Sequence, residues 1–211
     1  NYTSPSKLTV IGNGSSNGID TNHYDTRHVS EEQKTALKEE LQITETDIVF
    51  IYIGRVVKDK GINELVKAFN RISAKNKHCK LLLVGRRENH LDPLLPESEA
   101  IIKNNNCILA VGIQKDIRPY VSIAHVLTFP SYREGFPNVV LQCSCMNLPC
   151  IVSNINGCNE IIEHELNGLI IPKKDDKALE HAMQFMIDNP KKRLDIVQHT
   201  RSRIIERYQQ E

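Results

Sequence analysis

Short, uninterrupted apolar runs alternate with amphipathic stretches along nearly the whole chain, and this alternation most constrains its fold. The apolar runs predict seven strands, at residues 7–11, 47–53, 80–84, 107–111, 126–129, 150–153 and 169–171. They are continuous rather than alternating in polarity, which is typical of strands in a sheet covered on both faces. The pattern therefore predicts an α/β fold with a doubly wound, mostly parallel sheet.

Helical patterns fill the intervals between these runs. Ser30 and Gln33 have the spacing of a capping box, which predicts a helix from there to about residue 41. Further helices are predicted at residues 62–73, 97–104, 117–124, 137–146, 159–163 and 176–187, with a last one beginning at Pro190. No repeat or linker interrupts the pattern, so we predict one domain over residues 1–211. Because such sheets bind ligands beyond the carboxyl ends of their strands, the residues that follow each strand are the candidates for a site.

Composition excludes several classes of protein. The 27 basic and 26 acidic side chains nearly cancel, so no strong field favours nucleic acid. No apolar run approaches the ~20 residues of a membrane span. The eight histidines lack the spacing of metal ligands. The cysteines never form a C-x-x-C pair, and we interpret them as small buried apolar residues in a reducing cytosol rather than as a disulfide set or metal site; they are Cys79, Cys107, Cys143, Cys145, Cys150 and Cys158.

A glycine-rich turn follows the first predicted strand. Gly12, Gly14 and Gly18 approach a dinucleotide-binding fingerprint, but Asn17 occupies its third glycine position and no helical pattern follows. A nicotinamide-dependent dehydrogenase is therefore disfavoured. Two explanations for these glycines are equally good: a turn that requires positive φ angles, and contact of Gly14 with a ligand.

A basic loop, Gly54 to Gly61, joins the second predicted strand to a helix. Arg55 and Lys60 lie five residues apart on it and can converge on a diphosphate. The free amides at the N-terminus of the following helix also favour an anion. A solvated basic loop explains the two cations equally well.

The stretch from Pro130 to Gln142 is the most informative in the chain. Glu134 lies on a turn directly before a helix, where its carboxylate can accept hydrogen bonds from sugar hydroxyls. The amides of residues 135–138 are placed to face a phosphate. Gln142, about two turns further on, can contact the far end of the same ligand. Taken singly, a role at the helix N-cap explains Glu134, and solvent exposure explains Gln142.

Together these segments resemble the GT-B family of retaining glycosyltransferases called group 1 or family 4. The G-R-x-x-x-x-K-G segment matches at 54–61, P-S-x-x-E-G-F at 130–136, G-x-x-E-I at 157–161 and N-G-L at 167–169, all in the family's order. The resemblance covers residues from about 9 to 171. It implies that the chain is the Rossmann-like, nucleotide-sugar-binding half of a GT-B fold, and that the N-terminal acceptor-binding domain is absent from it.

The resemblance also implies roles for individual residues. Arg55 and Lys60 would stabilise charge on the donor diphosphate, and Glu134 would bind hydroxyls of the transferred sugar, so these three are the candidate catalytic residues. Gln142 lies at the position that binds the nucleotide ribose, where the family usually has a glutamate. Unlike a carboxylate, its amide offers only one acceptor oxygen and carries no charge. The candidate donor-binding positions are Gly14, Gly85, Arg86, Ile113, Gly135, Phe136, Pro137, Asn138 and Gln142.

The implied reaction is transfer of a sugar, with retention, from a nucleoside-diphosphate sugar, with a UDP-sugar as the first expectation. The acceptor would be a saccharide or a lipid-linked saccharide, held by the absent domain, in bacterial capsule or exopolysaccharide biosynthesis. No cofactor and no metal are expected, since the chain lacks the D-x-D motif of metal-bridged diphosphates. The full-length protein is expected in the cytoplasm or peripherally on the cytoplasmic face of the membrane.

Two alternatives share this fold. This chain by itself is expected to bind the donor weakly and to transfer negligibly, so a non-catalytic nucleotide-sugar-binding module remains a hypothesis. A GT-B sugar-nucleotide epimerase is the other, although the E-G-F-P segment at 134–137 argues against it.

Overall fold

A computed structural model describes residues 4–7, 18–88 and 90–210 of the chain, and within them six parallel strands form one sheet. The strands are β1 (Ile48–Ile53), β2 (Cys79–Val84), β3 (Ile108–Gly112), β4 (Val126–Phe129), β5 (Cys150–Ser153) and β6 (Gly168–Ile171). Their order across the sheet is β3-β2-β1-β4-β5-β6, and every neighbouring pair is parallel. The doubly wound α/β prediction is confirmed. The strand order reverses between β1 and β4, which makes the crevice beyond their carboxyl ends the expected ligand site.

Eight α-helices accompany the strands in the described residues. They are α1 (Glu31–Glu40), α2 (Ile62–Lys75), α3 (Pro96–Asn104), α4 (Arg118–Ser122), α5 (Asn138–Cys145), α6 (Cys158–Ile161), α7 (Asp176–Asp188) and α8 (Pro190–Tyr208). Each corresponds to a predicted helix, and no predicted end differs from the observed one by more than two residues. The capping box is confirmed, because Ser30 Oγ accepts from the Gln33 amide at 3.2 Å and Gln33 Oε1 accepts from the Ser30 amide at 2.9 Å.

The first predicted strand, at residues 7–11, is wrong at Lys7. This residue ends a short 3-10 helix, Pro5–Lys7, in which its amide donates to the Ser4 carbonyl at 2.9 Å. A local turn therefore competes successfully with an extended conformation there. Residues 8–11, and with them the glycine turn at Gly14, lie outside the described residues.

The core is centred on the two middle strands. Val49, Phe50, Ile51 and Tyr52 of β1 are all completely buried, although successive side chains of a strand point to opposite faces. Phe69 of α2 packs edge-to-face on Phe50, with 6.4 Å between the ring centroids. Burying each such aromatic or branched side chain contributes about 1.5–3 kcal/mol relative to leaving it in water. The continuous apolar runs thus reflect a sheet covered on both faces.

The cysteines are free thiols, and all except the half-buried Cys107 are buried. Burial raises the pKa of Cys79 and of Cys145 to about 11 and that of Cys150 to about 12. The interpretation of the cysteines as buried apolar residues is confirmed for these positions. Among the described residues there is no group of three or more His, Cys, Asp and Glu that could hold a metal ion. No helix in the described ranges is long and apolar enough to cross a membrane.

The segment before α1 is joined to α8, at the opposite end of the described sequence. Arg201 of α8 donates from Nη1 to the carbonyl oxygens of Tyr24 (2.8 Å) and Cys145, and from Nη2 to the Thr21 carbonyl (2.8 Å) and to Asp25 Oδ2 (2.9 Å). A guanidinium has five donors in a fixed plane and can satisfy all four acceptors at once. This contact fixes Tyr24 beside the carboxyl ends of the strands.

Candidate functional site

A cavity of about 510 Å³ opens at the reversal point of the strand order. Tyr52 and Ile53 of β1 and Phe129 of β4 form part of its wall. The remaining lining residues are His23, Tyr24, Gly54, Lys60, Lys115, Asp116, Ile117, Arg118, Glu134, Phe136, Pro137, Asn138, Val139 and Gln142. Its position is the one expected for a ligand site in a doubly wound sheet.

Lys60 and Glu134 meet in this cavity. Lys60 Nζ lies 2.7 Å from Glu134 Oε1, and the two side chains are only 15% and 16% exposed. Their loops are joined through the backbone, since the amide of Tyr132 donates to the carbonyl of Asp59 at 2.9 Å. A mostly shielded ion pair of this kind offers a cation to a phosphate and a carboxylate to hydroxyl groups.

The N-terminus of α5 forms the adjoining wall. Pro137 is its N-cap and has no side-chain hydrogen bond to the first turn. The leading amides of a helix have no partner within the helix and carry the positive end of its dipole, so they can bind an anion. Phe136, Pro137 and Asn138, three of the predicted donor-binding positions, all line the cavity at this end.

Gln142 lines the cavity one helical turn further along α5. Its Nε2 donates to the phenol oxygen of Tyr24 at 2.7 Å. Burial is the main cause that raises the pKa of Tyr24 above its ordinary value, so the phenol stays protonated at neutral pH. Gln142 is therefore a cavity residue with a defined partner rather than a solvated surface amide.

Five of the predicted site residues that the structure describes lie outside the lining of this cavity. Arg55 forms an ion pair with Glu88, with 3.0 Å between Nη1 and Oε2, instead of converging with Lys60. Gly85, Arg86 and Ile113 line a separate cavity of about 340 Å³ on the β2–β3 side. Gly135 is on the turn before α5 but also does not line the large cavity. Arg55 can reach a ligand there only after it leaves Glu88.

Several cavity residues were missed by sequence reasoning. Tyr52 is fully buried and donates to the Arg55 carbonyl at 2.8 Å, so it holds the turn after β1; burial raises its pKa well above the ordinary value. Arg118 is bound by Asp116 through its Nε and Nη2 atoms, and this hydrogen bonding raises the pKa of Arg118 and lowers that of Asp116. Asp116 lies on the loop after β3 and Arg118 begins α4, so their position just beyond a strand at the same sheet edge was an available signal.

The cavity thus combines three chemical features. An anion can bind at the N-terminus of α5 with Lys60 beside it. Hydroxyl groups can bind to Glu134, and a further polar contact is available at Gln142 and Tyr24. Such a combination, at the switch point of a doubly wound α/β domain, suits a phosphorylated ligand that carries hydroxyl groups.

Comparison with known families agrees with this class. A model of the family "Glycosyl transferases group 1" matches residues 33–203, and the chain belongs to that family. The resemblance noted in the sequence is therefore confirmed.

Curated relatives match nearly the whole chain. The chain is 32% identical over 208 residues to "Capsular polysaccharide biosynthesis glycosyltransferase CapM" of Staphylococcus aureus, covering 97% of this chain and 52% of that relative. It is 28% identical over 191 residues to "UDP-Gal:alpha-D-GlcNAc-diphosphoundecaprenol alpha-1,3-galactosyltransferase" of Escherichia coli, covering 89% of this chain and 47% of the relative. The chain thus spans about half the length of the curated relatives it matches.

Solved structures share the fold. Anabaena Alr3699/HepE, crystallised in complex with UDP, superposes with a TM-score of 0.81 at 19% identity, over 91% of this chain and 52% of that one. The C-terminal domain of the group 1 family protein LpcC from Francisella tularensis superposes with a TM-score of 0.76 at 20% identity, over 91% of this chain and 99% of that domain. These similarities establish a fold of GT-B glycosyltransferase type for the described residues.

Proposed function

We propose that this chain is the donor-binding domain of a group 1 glycosyltransferase. The observation that most supports this proposal is the Lys60–Glu134 pair beside the N-terminus of α5, in the cavity at the switch point of the sheet. The substrate would be a nucleoside-diphosphate sugar, with a UDP-sugar as first candidate, and the acceptor a saccharide or lipid-linked saccharide of the cell surface. The names of the S. aureus and E. coli relatives support this substrate class.

The chemistry of transfer fits the charges in the cavity. The bond from the anomeric carbon to the diphosphate oxygen breaks, and the same carbon bonds to an acceptor hydroxyl oxygen, whose proton passes to the leaving diphosphate. The leaving diphosphate gains negative charge, which Lys60 and the amides of α5 are placed to stabilise. Glu134 would accept hydrogen bonds from hydroxyls of the transferred sugar. Retention of configuration is part of this proposal.

Arg55 would complete the diphosphate site in the liganded state. Its guanidinium is half-exposed and paired with Glu88, so exchange of that carboxylate for a phosphate costs little in desolvation. Two cations and a helix N-terminus would then neutralise the diphosphate without a metal. We propose that donor binding is unaffected by chelators. The acceptor would bind outside this chain, and the location would be cytoplasmic, including the cytoplasmic membrane face.

Saturation-transfer NMR against UDP-, GDP- and ADP-sugars, with and without EDTA, tests this proposal. One nucleotide class should give saturation transfer that persists in EDTA and is lost with Lys60→Ala, Arg55→Ala or Glu134→Ala. Lys67→Ala is the matched control, because Lys67 also forms an ion pair, with Glu97 at 2.9 Å, but does not line the cavity. Absence of binding by all three classes, or equal loss in the control, would contradict the proposal.

A further inference from the structure

Two segments that are distant in sequence meet in the wall of the cavity. Gln142 belongs to α5, and Tyr24 belongs to the segment before α1, 118 positions earlier. Both side chains line the cavity, and the only direct bond between them is the 2.7 Å contact from Gln142 Nε2 to Tyr24 Oη. A ligand that fills the cavity therefore meets the two groups together.

Tyr24 is held in place by several elements. Its carbonyl accepts from Arg201 of α8 at 2.8 Å, and its amide donates to the Asp20 carbonyl at 3.1 Å. Arg118, at the start of α4, donates to the carbonyl of the preceding residue, His23, at 3.3 Å. The His23 and Tyr24 rings meet edge-to-face, with 4.8 Å between centroids. The phenol is thus positioned before any ligand arrives, which lowers the entropic cost of a contact with it.

The direction of the Gln142–Tyr24 hydrogen bond determines what the phenol offers to a ligand. An amide nitrogen can only donate, so the phenol oxygen accepts from Gln142 and its own proton is directed elsewhere. Within the described ranges, the phenol has no hydrogen-bond acceptor of its own. Gln142 Oε1 is likewise an acceptor with no recorded partner among the described residues. A glutamate at this position would instead accept a hydrogen bond from the Tyr24 hydroxyl, which would then have no donor left for a ligand.

Position along α5 indicates which part of a nucleotide would lie here. Gln142 is four residues beyond the first residue of α5, a rise of about 6 Å from the anion-binding end. A nucleoside diphosphate whose phosphates occupy the N-terminus of α5 would place its ribose beside Gln142 and Tyr24. The ribose 2′- and 3′-hydroxyls each donate and accept a hydrogen bond, which matches one fixed donor and one fixed acceptor.

We propose that Tyr24 is a ribose-binding residue of this site. Gln142 orients the Tyr24 hydroxyl so that it donates a hydrogen bond to a ribose oxygen. Through its own Oε1, Gln142 accepts a hydrogen bond from the neighbouring ribose hydroxyl. This inference rests on the proposed nucleotide-sugar function and adds to it a second residue that selects the ligand. Tyr24 and Gln142 thus offer the ribose diol one neutral donor and one neutral acceptor, whereas a carboxylate would offer acceptors alone.

Calorimetric titration of the protein with UDP, GDP and ADP identifies the nucleotide, and the same titration of Tyr24→Phe tests the inference. Loss of one hydrogen bond should raise the dissociation constant by about 3- to 10-fold. Tyr120→Phe is the matched control, because Tyr120 is also partly buried but does not line the cavity, and it should bind like the wild type.

The 2′-deoxy and 3′-deoxy forms of the same nucleotide separate a ligand contact from a structural effect. One of these analogues should bind the wild type more weakly than the parent nucleotide does. For that analogue, Tyr24→Phe should raise the dissociation constant by less than about 2-fold further, because the hydrogen bond is already lost. In a Gln142→Glu background, Tyr24→Phe should likewise cost less than about 2-fold, since the phenol then donates to the carboxylate.

The outcomes distinguish this inference from the function beneath it. If UDP, GDP and ADP all fail to bind the wild type, the proposed function and this inference fail together. If one of them binds and Tyr24→Phe binds it equally well, the inference is overturned and the function stands. Equal weakening of the nucleotide and of both deoxy analogues by Tyr24→Phe would also overturn it, because the hydroxyl would then act through the fold.

Discussion

Lys60 Nζ and Glu134 Oε1 lie 2.7 Å apart although 74 positions separate the two residues in the sequence. Their loops follow β1 and β4, the neighbouring strands between which the sheet order reverses. Both side chains are mostly shielded from water, so the pair is screened less than an ion pair on the open surface. A substrate phosphate or hydroxyl that enters the cavity must compete with this contact.

Lys60→Met should destabilise the fold, because it leaves the shielded Glu134 carboxylate without its cation. We expect the free energy of unfolding to fall by about 1–3 kcal/mol, which is below the cost at a fully buried pair. Urea denaturation followed by circular dichroism measures it. Lys38→Ala is the control, since Lys38 pairs with the 86% exposed Glu45 and should change stability by less than about 0.5 kcal/mol. Equal effects of the two substitutions would contradict the shielding of Lys60.

Gly61→Ala should disrupt the loop that carries Lys60. Gly61 has a φ of +71°, and a Cβ at this position would lie 2.1 Å from the Pro130 carbonyl oxygen. The left-handed backbone and the steric contact together should cost about 3 kcal/mol. Gly112→Ala isolates the backbone cost, because Gly112 has the same φ but nothing within 4 Å of the added carbon. It should lose only about 1 kcal/mol in the same urea titration; a loss equal to that of Gly61→Ala would refute the steric argument.

The sheet, and the placement of Lys60 and Glu134 at the same edge of it, were predictable from the sequence. Both depend on local patterns: continuous apolar runs identify the strands, and parallel strands bring the residues that follow them to one edge. β4 and β5 were predicted with their observed bounds, and β1 with an error of one residue.

Tyr24 and Arg55 show where sequence reasoning stops. Tyr24 reaches the cavity because Arg201, 177 positions away, binds its carbonyl, and no local pattern encodes that contact. Arg55 has the spacing for a diphosphate, yet its guanidinium is paired with Glu88 from the loop after β2. Periodicity and motif spacing describe neighbours along the chain and at strand ends, whereas these two positions depend on contacts with charged side chains from distant segments.

Arg201→Lys should be strongly destabilising, although it conserves charge. An ammonium cannot match the planar set of donors with which Arg201 binds two backbone carbonyls of the Thr21–Asp25 segment together with Asp25 Oδ2. At least one buried acceptor is left unpaired, which should cost about 2–3 kcal/mol in thermal or urea unfolding. Arg203→Lys is the control, because Arg203 pairs with the half-exposed Glu163 and should lose less than about 1 kcal/mol. Similar losses in both variants would show that Arg201 has no special role.

His125 makes stability depend on pH. Its Nδ1 accepts from the Val49 amide at 3.1 Å, and burial, with help from the nearby Arg193 and Lys38 charges, lowers its pKa from 6.5 to about 4. The folded protein therefore holds a neutral imidazole that the unfolded chain protonates more readily. The stabilisation is fully present above pH 6.5, decreases as the pH falls from 6.5 to about 4, and is absent below that.

The wild type should lose about 2 kcal/mol of unfolding free energy between pH 7 and pH 5 through this residue. His125→Asn keeps an acceptor for the Val49 amide but cannot be protonated, so its stability should be nearly constant over that interval, even where its absolute value is lower. Urea titrations at pH 7, 6 and 5 measure the slope. His199→Asn, at an exposed position on α8, should keep the wild-type slope. If His125→Asn retains that slope too, other groups account for the acid sensitivity and the neutral state of His125 does not stabilise the fold.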